Sequence, residues 1–360
     1  MIKFVHAADL HLDAPFRSLP PEQAVQLRAE QRDLLQKLTE LCQKEQADLL
    51  LLSGDLLDSE QVYRETLDAL RRAFEGCGAQ VFIAPGNHDP ATLSSIWQTQ
   101  VWPRNVHIFT HPQISWVDVE GLGCRVYGAG FTGMDCPPLL EGFRAEAPLS
   151  LMVLHGEVGQ PDSPYNPITQ AQIAASGLRY LALGHIHSYG GLRWAGSTAY
   201  AWPGCPQGRG FDETGPKGVL VGSIDGDTCE VDFRPLAGRQ YEILSVQAGA
   251  DPLAAILAAL PRDTQSDCYR ILLTGEAPAP NLPALMDALR ERFFSLQLID
   301  QTIPPVELWA SCGDDTLKGL FLQSIQDAIS QETDEQQRQL LRRAARIGLD
   351  LMENREVTLP

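Results

Sequence analysis

The sequence predicts an α/β fold: a largely parallel sheet enclosed by helices, then a small α+β module, then a helical tail. Three observations predict it. Apolar runs at residues 2–7, 48–53 and 80–84 alternate with helical patterns at 22–46 and 63–76, the rhythm of right-handed parallel crossovers. The middle run carries four consecutive leucines, Leu49 to Leu52, and is apolar on both faces, as in a sheet covered by helices. Each run ends in a polar cluster, Asp9-Leu10-His11, Gly54-Asp55 or Gly86-Asn87-His88-Asp89, as a site assembled at strand ends requires.

The first helix follows Pro20-Pro21 and lines up Leu27, Leu34, Leu35, Leu38 and Leu41 on one face. Short strands at 106–109, 114–119 and 124–129 are separated by Pro and Gly signals, which predicts antiparallel pairing among them. An apolar strand at 149–154 ends at His155-Gly156-Glu157. After a short helix at 169–175, a strand at 180–183 leads into Gly184-His185-Ile186-His187. Residues 202–217 are rich in turn formers, and 218–223 with 228–235 read as a hairpin turning at Asp225-Gly226-Asp227. Beyond a boundary near 237, strands at 241–246, 269–274 and 296–299 alternate with helices at 252–260 and 282–293. Residues 316–353 read as amphipathic helix. The expected parts are therefore 1–237, 238–305 and 306–360.

Composition narrows the class. The chain has 360 residues, enough for two cores, and no apolar run approaching the ~18 residues of a membrane span. Its N-terminus enters a strand with no basic, signal-like leader, so a cytoplasmic protein is expected, with no membrane partner. The eight cysteines are scattered without a Cys-x-x-Cys pair, which favours reduced thiols over disulfides or a zinc knuckle. A formal charge of −18 argues against gripping polyanions through the overall field, so DNA binding by the isolated chain should be weak.

Asp9, His11, Asp55, Asn87, His155, His185 and His187 mix carboxylate, amide and imidazole donors, a set suited to Mn²⁺, Fe²⁺ or Zn²⁺ and lacking the thiolates of structural zinc. Residues two apart in an extended segment share a side, so Asp9 and His11 can reach one ion. Seven donors exceed one catalytic ion with open positions and suit two ions roughly 3.5–4 Å apart sharing a carboxylate. His88 can carry a proton to a leaving group. Asp58 reads either as a helix cap or as a partner of this site, and Asp89 before Pro90 as a turn former. His6 belongs to the core, His107 and His111 to solvent, and Arg209 and Lys217 to a mobile surface loop.

The ordered set Asp-x-His, Gly-Asp-x-x-Asp, Gly-Asn-His-Asp, His and Gly-His-x-His resembles the calcineurin-like metallophosphoesterase signature over about the first 235 residues. The resemblance implies a four-layer α/β/β/α sandwich. It implies Asp9, His11 and His187 on one metal, Asn87, His155 and His185 on the other, and Asp55 bridging. A hydroxide between the metals would attack phosphorus in line, His88 would assist the leaving oxygen and Asp58 would orient His88. Mn²⁺ is the first expectation for both ions, before Fe²⁺ or Zn²⁺. Protein Ser/Thr phosphatases usually carry Arg-Gly after the second Asp and Glu after Asn-His; Ser59-Glu60 and Asp89 stand here.

The opening His6-Ala7-Ala8-Asp9-Leu10-His11-Leu12-Asp13, with Trp202-Pro203-Gly204-Cys205, Gln207-Gly208-Arg209 and Glu213-Thr214-Gly215-Pro216-Lys217-Gly218, is similar to the YhaO-like branch of DNA repair exonucleases. That branch is related to the SbcD nuclease subunit; Leu10, Asp13 and Cys205 depart from the Trp, Gly and Ser or Asn usual in its relatives. The resemblance implies a DNA exonuclease, or an endonuclease as well, with a capping module at 238–305 and a tail that binds an SMC-like ATPase. A homodimer is a further assembly it admits. Two other functions fit the residues: a small-molecule or cyclic-nucleotide phosphodiesterase, and a non-catalytic DNA-end or scaffold subunit.

Overall fold

The computed structural model describes residues 1–352 apart from 18, 237, 304, 305 and 310, and the chain divides into two compact units, Met1–Gln240 and Tyr241–Pro360. The stretches expected as separate parts, 238–305 and 306–360, fall together in the second unit but for residues 238–240; residues 353–360, the end of the expected tail, lie outside the described residues.

The first unit opens with β1 (Ile2–Ala7), α1 (Pro21–Glu45), β2 (Leu49–Leu52), α2 (Arg64–Gly76), β3 (Gln80–Ile83), α3 (Ile96–Thr99) and β4 (Val106–Ile108). A second run follows: β5 (Ser115–Val119), β6 (Cys124–Gly128), β7 (Ser150–His155), β8 (Glu157–Val158), β9 (Pro167–Ile168), α4 (Gln170–Ala175), β10 (Tyr180–Gly184), β11 (Arg193–Ala195) and β12 (Thr198–Ala201). The hairpin of β13 (Gly218–Asp225) and β14 (Thr228–Pro235) returns to the first sheet. The strands form two six-stranded sheets, ordered β14-β13-β1-β2-β3-β4 and β11-β12-β10-β7-β6-β5.

The period-two alternation of each strand divides the core into the layers between which the sheets lie. Val5, Leu50, Leu52, Val81 and Ile83 face Leu35 and Leu38 of α1 and Leu70 and Phe74 of α2. The opposite faces, Phe4, Leu49, Leu51 and Phe82, meet Leu151, Val153, Tyr180 and Ala182 of the second sheet. On the far side of that sheet, Met152, Leu154, Leu181 and Leu183 pack with Ile173 of α4, whose start is closed by a Thr169–Gln172 capping box. This is the expected four-layer α/β/β/α sandwich.

Two features differ from the sequence reading. The strand at 106–108 pairs in parallel with β3 and belongs to the first sheet, whereas β5 and β6 pair antiparallel in the second. Three short strands in a row cannot reveal that the first two belong to different sheets. The buried strand Thr198–Ala201 runs parallel to β10 and went unread, because Thr-Ala-Tyr-Ala is too short and too small-chained to signal a strand.

The second unit carries β15 (Tyr241–Gln247), α5 (Pro252–Ala259), β16 (Cys268–Thr274), α6 (Leu282–Leu289) and β17 (Ser295–Asp300), so the small α+β module is a βαβαβ unit with all three strands parallel. Asp251 and Asn281 cap its helices through the N–H groups of Ala254 and Ala284. The tail is two helices, α7 (Leu317–Gln331) and α8 (Glu335–Met352), packed through Leu322, Ala345 and Leu349; Arg346 donates to the Thr302 carbonyl. Among the described residues, no helix is long and apolar enough to cross a membrane.

Candidate metal centre

The predicted residues stand at the carboxyl ends of five strands, β1, β2 and β3 of one sheet and β7 and β10 of the other, where parallel sheets open a crevice. The loops after β1 and β2 are zipped together: Asp9 N donates to the Gly54 carbonyl, His11 N to Asp55, and Asp58 N returns to Leu12. Asp9 and His11 do converge, but not by strand alternation. Both lie past the end of β1 in left-handed backbone, at φ 54° and 43°, and Asp55 shares that conformation at φ 51°. Such positions cost of order 1–3 kcal/mol and cluster where a structure must aim side chains. The motif glycines have a steric reason: a Cβ on Gly184 would collide with the Ser53 carbonyl, and one on Gly86 with the Asp55 carboxylate.

At His155 and His187 the ring orientation follows from the outer nitrogen. His155 Nδ1 lies 2.8 Å from the Ser53 carbonyl, which can only accept, so its proton is on Nδ1 and its Nε2 lone pair points inward. That Nε2 sits 3.4 Å from Asp55 Oδ2 and 3.0 Å from Asn87 Oδ1. His187 Nδ1 lies 2.6 Å from Glu213 Oε1, and its Nε2 comes within 3.3 Å of His11 Nε2. His11 in turn faces Asp58 Oδ1 with Nδ1 at 3.4 Å and Asp55 Oδ2 with Nε2 at 3.8 Å. Lone pairs and carboxylate oxygens thus face one another, an arrangement that divalent cations relieve and that fits the expected metals. Donor atoms of Asp9, His11 and His187 lie within 4.8 Å of one another, as do those of Asp9, Asp55 and His155. Asp9 belongs to both groups, while Asp55 Oδ2 faces the Nε2 atoms of both His11 and His155.

Burial sets the electrostatics. It pushes the Asp9 carboxyl up, with His155 and His187 countering only in part. At Asp55 burial also pushes upward, but His155, His11 and the His88 N–H outweigh it and hold the group below the usual carboxylate range. His185 is lowered to about 4 by burial and by His155 beside it, which keeps the ring in its neutral, ligating form. Among the described residues, His185 joins none of the three-donor groups: its ring stands 5.2 Å from that of His155 and 4.8 Å from Tyr165.

A calcineurin-like phosphoesterase family model matches residues 2–189. The chain belongs to that family. It is 30% identical over 327 residues to the uncharacterized metallophosphoesterase YhaO of Bacillus subtilis, covering 81% of this chain and 78% of that one. It is 25% identical over 249 residues to the DNA double-strand break repair protein Mre11 of Saccharolobus solfataricus, covering 61% of this chain and 60% of that one. The chain is accordingly a metallophosphoesterase, a hydrolase of a family that uses divalent metals.

Four residues of this phosphoesterase do other work than their sequence context indicated. Asp58 meets His88 through its main-chain carbonyl, 3.1 Å from Nδ1, while its carboxylate faces His11 and, at 3.2 Å, Arg209. Asp89 is more than a turn former. Its buried carboxylate accepts from the N–H groups of Gly86, Asp55, Leu56 and Leu57, tying the β3 loop to the β2 loop. Arg209 and Lys217 are not on a free surface loop: Arg209 is half-buried between Glu213 and Asp58, and Lys217 is buried and donates to the His187 carbonyl at 3.1 Å.

Glu213 is the residue that sequence reasoning missed. A glutamate among Gly and Pro carries no local signal, and its 2.6 Å contact with His187 spans 26 positions. His6 is a core residue as read, bonded at 2.8 Å to both Tyr180 Oη and Ser53 Oγ. His107, expected in solvent, is half-buried with its ring 4.7 Å from that of Phe109. Clefts of about 630 Å³ beside His88, reaching Glu60 and Met134, and about 360 Å³ beside His185, reaching Glu157 and Tyr165, flank the centre.

Proposed function

We propose that this phosphoesterase is a Mn²⁺-dependent DNA nuclease, an exonuclease first and an endonuclease in addition, acting in DNA repair with an SMC-like ATPase. The observation that carries the hydrolytic part is the convergence of the His155 and His187 lone pairs and of His11 Nε2 on the Asp9 and Asp55 carboxylates. Asp9, His11 and His187 would hold one ion, Asn87, His155 and His185 the other, with Asp55 shared. The bound ions would supply the acidity that activates water and the positive charge that a phosphoryl group needs in the transition state.

The chain's own residues do the rest. As imidazolium, His88 gives its Nε2 proton to the leaving oxygen and keeps its Nδ1–H on the Asp58 carbonyl, 3.1 Å away, beside the adjoining cleft. The preference for DNA draws support from the similarity to Mre11, a DNA double-strand break repair protein. The ATPase draws support from the exposed Leu317, Leu320, Leu340 and Leu351 on the two tail helices, apolar surface suited to a helical partner.

A panel of single- and double-stranded DNA with defined ends, a cyclic nucleotide and a small phosphodiester tests the reading. With Mn²⁺ the wild type should digest DNA and lose all activity in chelator. His88→Ala should fall by about 10²–10⁴-fold with its metal content intact. Asp55→Asn should lose both metal and activity. Intact DNA beside efficient hydrolysis of the cyclic nucleotide would refute the nuclease assignment.

A further inference from the structure

We propose that Glu213 is a positioning residue that fixes the tautomer of His187 against the opposing demand of Arg209, and so keeps the inner nitrogen of His187 free for a cation. The inference rests on the reading of His187 as a metal ligand. His187 Nδ1 has two neighbours that cannot both be satisfied, Glu213 Oε1 at 2.6 Å and Arg209 Nη2 at 3.2 Å. A carboxylate only accepts and a guanidinium only donates, so the proton on Nδ1 serves the first and opposes the second.

The choice propagates across the ring. With the proton on Nδ1, Nε2 presents a lone pair towards His11 Nε2, 3.3 Å away, and towards the Asp9 carboxylate. With the proton on Nε2, a donor would point at the same place and exclude a cation. Glu213 wins by distance, and it also occupies the competitor. Its carboxylate accepts from Arg209 Nη2 at 2.8 Å and from the Arg209 main-chain N–H at 2.8 Å, while Asp58 accepts from Nη1 at 3.2 Å. Without Glu213, Arg209 would become the nearest polar partner of Nδ1 and would draw the lone pair to the wrong side.

The backbone of His187 is held separately. Lys217 Nζ and the Cys205 N–H reach its carbonyl at 3.1 and 3.3 Å, and Gly204, at φ +79°, lets the chain pass close enough, since a Cβ there would lie 3.0 Å from the same oxygen. Loss of Glu213 therefore leaves the residue in place and changes its protonation pattern.

The test uses the full chain. Long-range ¹H–¹⁵N NMR of imidazole-labelled, metal-free protein at alkaline pH, assigned with His187→Gln, should give the Nδ1–H tautomer for wild type and for Arg209→Met. Glu213→Ala should turn to Nε2–H, and calorimetric Mn²⁺ titration should show one of two sites weakened by about 10–100-fold. The double variant Glu213→Ala/Arg209→Met, freed of the competing donor, should recover at least about tenfold of that loss, which a residue with a merely structural role would not allow. An Nε2–H tautomer in wild type, an unmoved tautomer in Glu213→Ala, or a double variant no better than the single would overturn the proposal; the wild-type spectrum decides even if Glu213→Ala does not fold. A tautomer that turns while both Mn²⁺ affinities stay unchanged would instead remove His187 from the metal ligands, and the cation half of the proposal with it.

Discussion

The loop after β3 and the segment at 203–217 both enclose the metal centre with irregular chain, yet they are held in opposite ways. The β3 loop is pinned by one buried acceptor, Asp89, serving four main-chain N–H groups from two loops, with its own carbonyl accepting from Trp97 Nε1 at 2.7 Å. The 203–217 segment is pinned by charged side chains, Arg209, Glu213 and Lys217, aimed at a single histidine. Main-chain donors cannot be re-satisfied when their acceptor is removed, whereas a side-chain network loses one partner at a time. Stability should therefore reside in the first loop, and tuning of the metal site in the second.

The largest expected effect breaks the first half of that contrast. Asp89→Ala orphans four buried N–H groups and should lower unfolding free energy by at least about 3 kcal/mol, read from urea midpoints in chelator. A loss below about 1 kcal/mol would show that the loops hold together without it.

A pH effect sharpens the same half, because His6 lies beneath the β2 loop through Ser53. Burial lowers the His6 ring to about 3 from 6.5. The unfolded chain therefore takes up the proton first, so stability from this group is complete above about pH 6.5 and is lost as pH falls towards 3, at about 1.4 kcal/mol per unit. His185, lowered to about 4, adds a second contribution of the same sign. His6→Gln should remove roughly half of the combined slope in chelator-treated protein; an unchanged slope would contradict the assignment.

The smallest effect belongs to the second region. Lys217→Met leaves the His187 carbonyl still accepting from Cys205 N and should cost about 1 kcal/mol, with Mn²⁺ affinity falling by a few-fold. Should Lys217→Met destabilise as much as Asp89→Ala, the distinction between the two regions would fail.

Most of the first unit was legible because its signals are local. Each of the five site-bearing strands, in either sheet, is a short apolar run that leads into donor residues spaced within a few positions, so Asp9, His11, Asp55, Asn87, His155, His185 and His187 could be picked out in order. What local pattern could not convey was which strands share a sheet, since β4 and β5 are near neighbours in sequence but pair in different sheets.

The sequence by itself determined the α/β rhythm, the family and the chemical identity of the donors, because those depend on residue type and short-range spacing. Only the tertiary structure decided how the donors are aimed. The left-handed turns at Asp9, His11 and Asp55, the carbonyl rather than the carboxylate of Asp58 on His88, and Glu213 on His187 all arise from contacts between chain segments far apart in sequence. A side chain's direction is set by its surroundings in space, and in this site those surroundings come from five strand ends and one long, ion-paired segment.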